Sequence, residues 1–351
     1  MGLFANDLGV DLGTSNVVIY SEKQGVVVRE PSVVAIDKTT GRLLACGTKA
    51  KDMLARVPGN VTAMYPLKGG VVCDHGMTVK LLQTAFKGLS KRWSIFKPKP
   101  RVVIAVPSCV TEVEERTVIN AAIEAGARRV YLVEEPLAAG VGANLSLDEP
   151  NGHMVVNIGG GTTDVAVLSM NSVAVSSSIK VAGDSFDEAI IRYVRRKYKV
   201  LIGKPTAEDV KMQIGTVAKV DDDKDVIYKF WGRDMNNGLP KEVELSASEV
   251  SKCLCQAAIP IVAEVVNVLG DTSPELVRDI MENGITLTGG GGQLDGMAQM
   301  IERNVKIRCT LADEPNSCVA YGCGKTIAWI RHMKMKEGPI NVARQQAMKR
   351  R

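Results

Sequence analysis

The sequence predicts an α/β protein built from two pseudo-equivalent halves, each carrying a small inserted subdomain. Three observations lead there. A chain of 351 residues exceeds what one compact core ordinarily holds and fits two domains. A strand, glycine turn, strand motif occurs twice: Asp11-Leu12-Gly13-Thr14-Ser15-Asn16-Val17-Val18-Ile19 recurs, two glycines longer, as Asn157-Ile158-Gly159-Gly160-Gly161-Thr162-Thr163-Asp164-Val165-Ala166-Val167. The strand and helix alternation that follows the first copy is repeated after the second, which is the pattern of α/β folds.

Each element has a local reason. Strand-like runs dominate 8–36, and 45–59 is short, polar and turn-rich. A buried strand follows at 101–106, and Thr111-x-x-Glu114 is a capping-box start for a helix that Gly126 ends. The next strand, 130–133, is closed by Glu134-Glu135-Pro136, with Pro136 placed for the first turn of a helix through 143. In the second half the Asn157 hairpin leads to a strand at 172–181, then helices from about 186 to 198 and from 206. Asp221-Asp222-Asp223 with Tyr228, Phe230 and Trp231 reads as a small β excursion. Ser246-x-x-Glu249 opens another helix, 285–288 is a strand, and four glycines lead into a helix from Leu294. The expected first half is 1–144 with 317–340, its small subdomain at about 32–66; the second is 145–316, with 182–246 as its small subdomain; 341–351 is a basic tail.

Composition removes several classes of function. No apolar run approaches the ~20 residues that span a bilayer, and no signal peptide is visible, so a cytoplasmic chain is expected. Eight cysteines without a CxxC pair make neither a disulfide framework nor a zinc site, and Cys253 and Cys255 read as buried thiols. The three histidines, His75, His153 and His332, are far apart in sequence, which argues against histidine metal or triad chemistry. The net charge of +5 is local: 331–351 holds seven Lys/Arg against one Glu, and 91–101 holds five against none. Two sticky surfaces are expected rather than a nucleic-acid-coated fold.

The glycine turns carry the chemistry. Bare backbone N–H groups and short hydroxyls suit phosphate oxygens, and two such turns suggest two hairpins gripping one polyphosphate from opposite sides. One copy alone is an ordinary hairpin; three successive glycines in the other weaken a strand and call for a reason such as close approach by a ligand. Gly289-Gly290-Gly291-Gly292, between a strand and a helix, places side-chain-free backbone beside a phosphate or sugar, or serves only as a structural loop. Glu208 and Lys211, at i and i+3, project from one helix face toward a ribose or base edge; taken alone they form a solvated ion pair.

These residues together resemble the actin, heat-shock chaperone and sugar kinase ATPase superfamily, and within it the MreB family of bacterial actin-like rod-shape proteins. The resemblance spans nearly the whole chain: Gly9 to Asn16 and Ile158 to Thr163 for two phosphate loops, Glu134 to Ala139 and Cys318 to Gly322 for two connecting segments, Val181-Ala182-Gly183-Asp184, and Thr288 to Gly291 for an adenosine loop. Arg29-Glu30-Pro31-Ser32-Val33-Val34-Ala35-Ile36 and Val57-Pro58-Gly59-Asn60-Val61 are similar to MreB rather than to chaperones or kinases. The resemblance implies an actin-like fold of two ribonuclease H-like domains, with ATP or GTP and Mg²⁺ in the cleft between them. It implies that Asp11 holds the metal through water. Gly13, Thr14, Ser15, Asn16, Gly159, Gly160, Gly161 and Thr162 would line the phosphates; Gly183, Glu208, Lys211 and Gly289 to Gly292 would line the nucleoside. Glu135 would orient the attacking water.

The chain departs from that family at Asn157, where its members ordinarily carry Asp. An amide orients water but cannot take its proton, so Asn157 is expected to make hydrolysis slow or absent. Trp93, Ile95 and Phe96, ringed by Lys91, Arg92, Lys97 and Lys99, suit an anionic membrane surface, and the resemblance implies a membrane-inserting loop there; covering the core edge is the alternative. The expected protein is an ATP-binding filament subunit that assembles with itself, lies peripherally at the inner face of the cytoplasmic membrane and organises cell-wall synthesis with elongation proteins, without nucleic acid. A nucleotide-binding scaffold without turnover is the first alternative and a small-molecule kinase the second.

Overall fold

The computed structural model describes residues 7–54, 56–90, 99–221, 225–332 and 340–341. The predicted membrane residues Trp93, Ile95 and Phe96, the segment 1–5, Asp222, Asp223 and the basic tail beyond 341 lie outside the described residues.

Two sheets organise the chain. The first has six strands in the order Ile340–Asn341, Arg129–Glu134, Arg101–Val106, Leu8–Leu12, Asn16–Ser21, Gly25–Pro31. The second has five: Ser172–Ile179, Thr163–Ser169, His153–Ile158, Ile285–Thr288, Cys309–Leu311. In both, an antiparallel three-strand meander is extended by parallel strands on the side of its first strand, three in the first sheet and two in the second. The repeated motif is therefore the first hairpin of each sheet, as its apolar, glycine, β-branched sequence requires. Strands such as Arg101–Val106 and Thr163–Ser169 are buried nearly throughout, with apolar runs at 102–106 and 165–168, because helices or the other half cover both faces.

Capping signals mark helix starts faithfully. Thr111 and Ser246 each form a capping box with the Glu three residues on, opening the Glu112–Glu124 and Ala247–Gly270 helices. Elsewhere the boundaries differ from the sequence reading. The polar stretch after 45 is not merely turn: it contains the end of a Leu43–Cys46 strand and a Thr48–Lys51 helix. The helix expected from 186 starts at Gly183, because its first turn is anchored by Gly183 N–H to Gly159 O at 3.2 Å and Asp184 N–H to Gly160 O at 2.7 Å. The four glycines run into a short 3-10 turn, Gly291–Gln293, and the next α-helix begins only at Met297. Cys253 and Cys255 are half-buried free thiols rather than fully buried ones. The 24-residue Ala247–Gly270 helix is long and apolar enough by composition to cross a membrane, although Glu249, Lys252 and Glu264 interrupt its apolar run. It packs Val250, Leu254, Ala258, Ile261 and Val265 into the second core.

Two small three-stranded sheets form the insertions. One pairs Val34–Asp37 with Leu43–Cys46 and Val61–Met64; the other joins Val200–Leu201, Ile227–Asp234 and Pro240–Ser246. The chain passes from the first large sheet to the second through the Glu135–Gly142 helix and returns through Cys318–His332. These two helices cross with backbones in contact: a Cβ on Gly142 would lie 1.8 Å from the Cys318 carbonyl oxygen, and one on Gly322 1.7 Å from that of Ala138. Around the crossing, Val103, Val133, Leu137, Val155, Leu168 and Val319 form an apolar cluster that draws on both sheets.

Candidate functional site

The two glycine turns converge. In the first, Gly13 N–H bonds Asn16 O at 3.0 Å, and Ser32, just past the Gly25–Pro31 strand, holds the turn by donating its hydroxyl to Gly13 O at 2.7 Å. In the second, Gly159 N–H bonds Thr162 O at 2.9 Å, and the Gly183–Tyr198 helix docks its N-terminus on Gly159 and Gly160. A Cβ on Gly160 would stand 2.0 Å from Ser15 Oγ, and one on Gly161 2.5 Å from Thr14 Oγ1. Thr14 cannot retreat freely, since its hydroxyl accepts Gly70 N–H at 2.9 Å.

Behind and beside these turns opens a cavity of about 750 Å³, well within the range of small-molecule sites. Asp11, Gly13, Thr14, Ser15, Asn16, Glu135, Asn157, Gly159, Gly160, Gly161, Thr162, Gly183, Glu208, Lys211, Gly289, Gly290 and Gly291 all line it. Gly292 does not; it is buried against Leu287, where a Cβ would come within 3.0 Å of Cγ. Gly289 and Gly291 also have a packing reason: side chains there would strike Ile158 O at 2.3 Å and Ile158 Cγ2 at 2.5 Å, and Gly289 has a φ of +83°. Part of the glycine cluster thus serves close contact with the second hairpin.

Glu208 and Lys211, expected on the nucleoside side, do not pair with each other. Glu208 binds Lys51 of the first small insertion at 2.7 Å, and Lys211 binds Asp187 at 2.7 Å and the Gly183 carbonyl at 3.2 Å. Lys204 reaches Asp184 at 3.2 Å and lies over the Tyr65 ring. Lys51, Tyr65, Asp184, Asp187, Lys204, Arg29 and Asn316 are wall residues that sequence reasoning did not select. For Asp187 a signal existed, one helical turn after Gly183 on the same face; the others come from distant segments.

The floor is acidic. Asn157, only 2 % exposed, accepts the Thr288 hydroxyl at 3.0 Å and donates its amide to Glu135 Oε1 at 3.3 Å. Burial pushes the Asp11 carboxyl up to about 7, and burial with the neighbouring Asp164 and Asp11 charges holds Glu135 well above the usual carboxylate range. Asp164, fully buried beneath, is pushed up to about 6 by burial. A raised carboxyl binds protons more tightly in the folded than in the unfolded chain, so stability from these groups falls as pH rises from 3.8 toward about 7 for Asp11. Thermal melts of nucleotide-free protein should therefore show a smaller loss of melting temperature across that window in Asp11→Asn than in wild type; equal slopes would contradict it.

Among the described residues no cluster of three or more metal-binding side chains exists. The carboxylates of Asp11 and Glu135 in the cavity lining would suit a hard cation that keeps most of its water shell, as Mg²⁺ does. The site as a whole combines converging backbone amides, hydroxyls, a helix N-terminus and a carboxylate floor, a combination that suits a nucleoside polyphosphate.

Two equivalent meander-based sheets, joined by crossed helices and facing each other across a glycine-walled cleft, define an actin-like protein. The MreB/Mbl protein family matches residues 5–335, and the chain belongs to that family. It is 44% identical over 322 residues to the cell shape-determining protein Mbl of Bacillus subtilis (strain 168), covering 92% of this chain and 96% of that one. It is likewise 44% identical over 333 residues to the cell shape-determining protein MreB of Escherichia coli (strain K12), covering 94% and 95%. The crystal structure of MreB5 of Spiroplasma citri bound to ADP superposes with a TM-score of 0.87 at 37% identity, over 93% of this chain and 97% of that one.

Proposed function

We propose that this protein binds ATP with Mg²⁺ in the cleft and polymerises with itself into filaments that set cell shape. The observation that carries the reading is the approach of the Gly160 and Gly161 backbone to Ser15 and Thr14 over one cavity, in a chain of the MreB/Mbl family. Asp11 would serve the metal through water, Glu135 would orient the attacking water, the two turns would hold the phosphates, and Gly183, Glu208, Lys211 and Gly289 to Gly291 would hold the nucleoside. The two halves with their insertions would be the domains that move about the nucleotide. Hydrolysis would be slow because Asn157 supplies an amide where a carboxylate could accept a proton.

The basic and apolar composition of 91–99, with Trp93, Ile95 and Phe96, supports attachment to the inner face of the cytoplasmic membrane, where the filament would organise the cell-wall elongation proteins. Sedimentation with Mg²⁺ and ATP, ADP or a non-hydrolysable ATP analogue, with and without anionic liposomes, tests the reading. Pelleting that requires nucleotide and metal, and enrichment with the liposomes, is the expected result. Protein that stays in the supernatant under every condition would refute it. GTP in place of ATP in the same assay separates the two nucleotides. Nucleotide-dependent pelleting without phosphate release would favour the second reading, a filament scaffold that holds nucleotide unhydrolysed, for which Asn157 is the specific support.

A further inference from the structure

Four cationic side chains line the cavity: Arg29, Lys51, Lys204 and Lys211. Three of them are neutralised by the protein itself, since Lys51 pairs with Glu208 at 2.7 Å, Lys211 with Asp187 at 2.7 Å and Lys204 with Asp184 at 3.2 Å. Arg29 is the exception. Among the described residues no carboxylate forms an ion pair with it, and its guanidinium donates to the Ser317 hydroxyl, a neutral acceptor. The adjacent Glu30 gives no compensation, because it turns to the opposite face of the strand and accepts the Thr48 N–H and hydroxyl, both at 2.9 Å. Strand register explains how a residue of the third strand reaches the cleft. Asp11 stands opposite Val18, and Val18 opposite Arg29, so the three side chains form one row on one face of the first sheet. Two strand spacings put Arg29 about 10 Å from Asp11, and its long side chain extends over the small Val18 between them. Its far end rests at Ser317, next to Asn316, whose Oδ1 lies 2.9 Å from where a Cβ on Gly290 would be. The one uncompensated cation of the wall is therefore strung between the carboxylate expected to serve the metal and the glycines expected to line the nucleoside.

We propose that Arg29 is a phosphate-binding residue: when nucleotide enters, its guanidinium exchanges the Ser317 hydroxyl for oxygens of the inner phosphates, those that ATP and ADP have in common. This rests on the reading of the cleft as a nucleotide site. The exchange is favourable because a guanidinium binds a phosphate through two parallel, charge-assisted hydrogen bonds, whereas a hydroxyl accepts one bond without charge. The lysines cannot substitute for it without breaking an ion pair each. Ser317 acts as a resting place that keeps the arginine at the cleft before the ligand arrives. Because Arg29 sits on an exposed strand edge, solvent weakens its pull, and the effect is sized accordingly at about tenfold in affinity.

The test compares wild type, Arg29→Gln, Arg29→Lys and Ser317→Ala, each titrated with fluorescent ATP and ADP analogues in Mg²⁺ at low and high salt, and each melted without nucleotide. Arg29→Gln is expected to bind both analogues about tenfold more weakly at low salt, with a smaller loss at high salt. Its melting temperature without nucleotide should stay within about 2 °C of wild type, as for other exposed substitutions. Arg29→Lys, which keeps the charge and loses the two-donor fork, should fall between the two. Ser317→Ala removes the resting contact and keeps the guanidinium, so its affinity should stay within about twofold of wild type. That variant separates binding from a structural tie between the third strand and the Cys318–His332 helix, since a tie is cut from either end. If Arg29→Gln does not fold, Arg29→Lys and Ser317→Ala decide by the same criteria. Wild-type affinity in Arg29→Gln, a loss in Ser317→Ala as large as that in the arginine variants, or a loss confined to the ATP analogue would each overturn the proposal. Wild type that binds neither analogue would instead overturn the reading of the cleft itself.

Discussion

Gly322→Ala is expected to cost at least about 3 kcal/mol of stability, beyond the usual range for an added methyl in a core. The reason is that the added carbon meets main chain, not a side chain that could turn away: Ala138 O at 1.7 Å and Ala138 C at 2.5 Å. Relief requires the Cys318–His332 helix to lift off the Glu135–Gly142 helix. The lifting helix has no free direction, because on its other side it packs against the first sheet, where a Cβ on Gly9 would lie 2.3 Å from Gly324 N. Both crossings of the chain between the halves run through this contact, so the strain reaches Glu135 at the start of its helix as well. Thermal unfolding should show a melting temperature lower by about 4 °C or more. Gly88→Ala is the control: it lies in the His75–Ser90 helix with nothing within 4 Å of its Cβ, and should gain roughly 0.5 kcal/mol. If Gly322→Ala melts like Gly88→Ala, the helices do not cross as closely as described.

The contrast between those glycines shows what a sequence can and cannot convey. The hairpins around Asp11 and Asn157 were legible because glycine turns between β-branched runs have one favourable geometry. The Thr111 and Ser246 helix starts were legible because a capping box satisfies backbone donors locally. Contacts between distant segments leave no comparable local mark. Lys51 taking Glu208, or Asp187 taking Lys211, depends on how the insertions fold back over the cleft. The run at 289–292 fits a ligand-facing turn or a structural loop equally well by composition, and contacts with Ile158 and Leu287 account for much of it.

Asp164 lies between these cases. Comparing motif copies position by position directs attention to Asn157 as an acidic group lost. Counting back from the turn pairs 157 with Asp164 on the facing strand. The strand register was available from the sequence; its relevance depended on knowing that Glu135, from another element, reaches the same point. Much of the candidate site was therefore visible as residue types, while the pairings that set its electrostatics required the fold.

The same close packing makes Gly161 the position where one added carbon should most affect binding. A Cβ there would lie 2.5 Å from Thr14 Oγ1, 2.9 Å from Gly69 N and 3.0 Å from Gly69 Cα. Two of these three atoms are backbone, and the third is held by the Gly70 N–H, so the second turn itself must yield. Moving it outward separates the two sets of amides that would face one polyphosphate, and it pulls on the Gly183–Tyr198 helix anchored to the neighbouring Gly159 and Gly160. A misfit of about 2 to 3 kcal/mol at the binding surface corresponds to roughly a 30- to 150-fold weaker nucleotide. Gly161→Ala should therefore lose affinity for a fluorescent ATP analogue by that factor, while its melting temperature without nucleotide falls less than that of Gly322→Ala. The loss should be shared by ADP, since on the proposed reading the turns would hold the phosphates while Glu208 and Lys211 would line the nucleoside. Unchanged affinity for both nucleotides would mean that the two turns do not act together on one ligand.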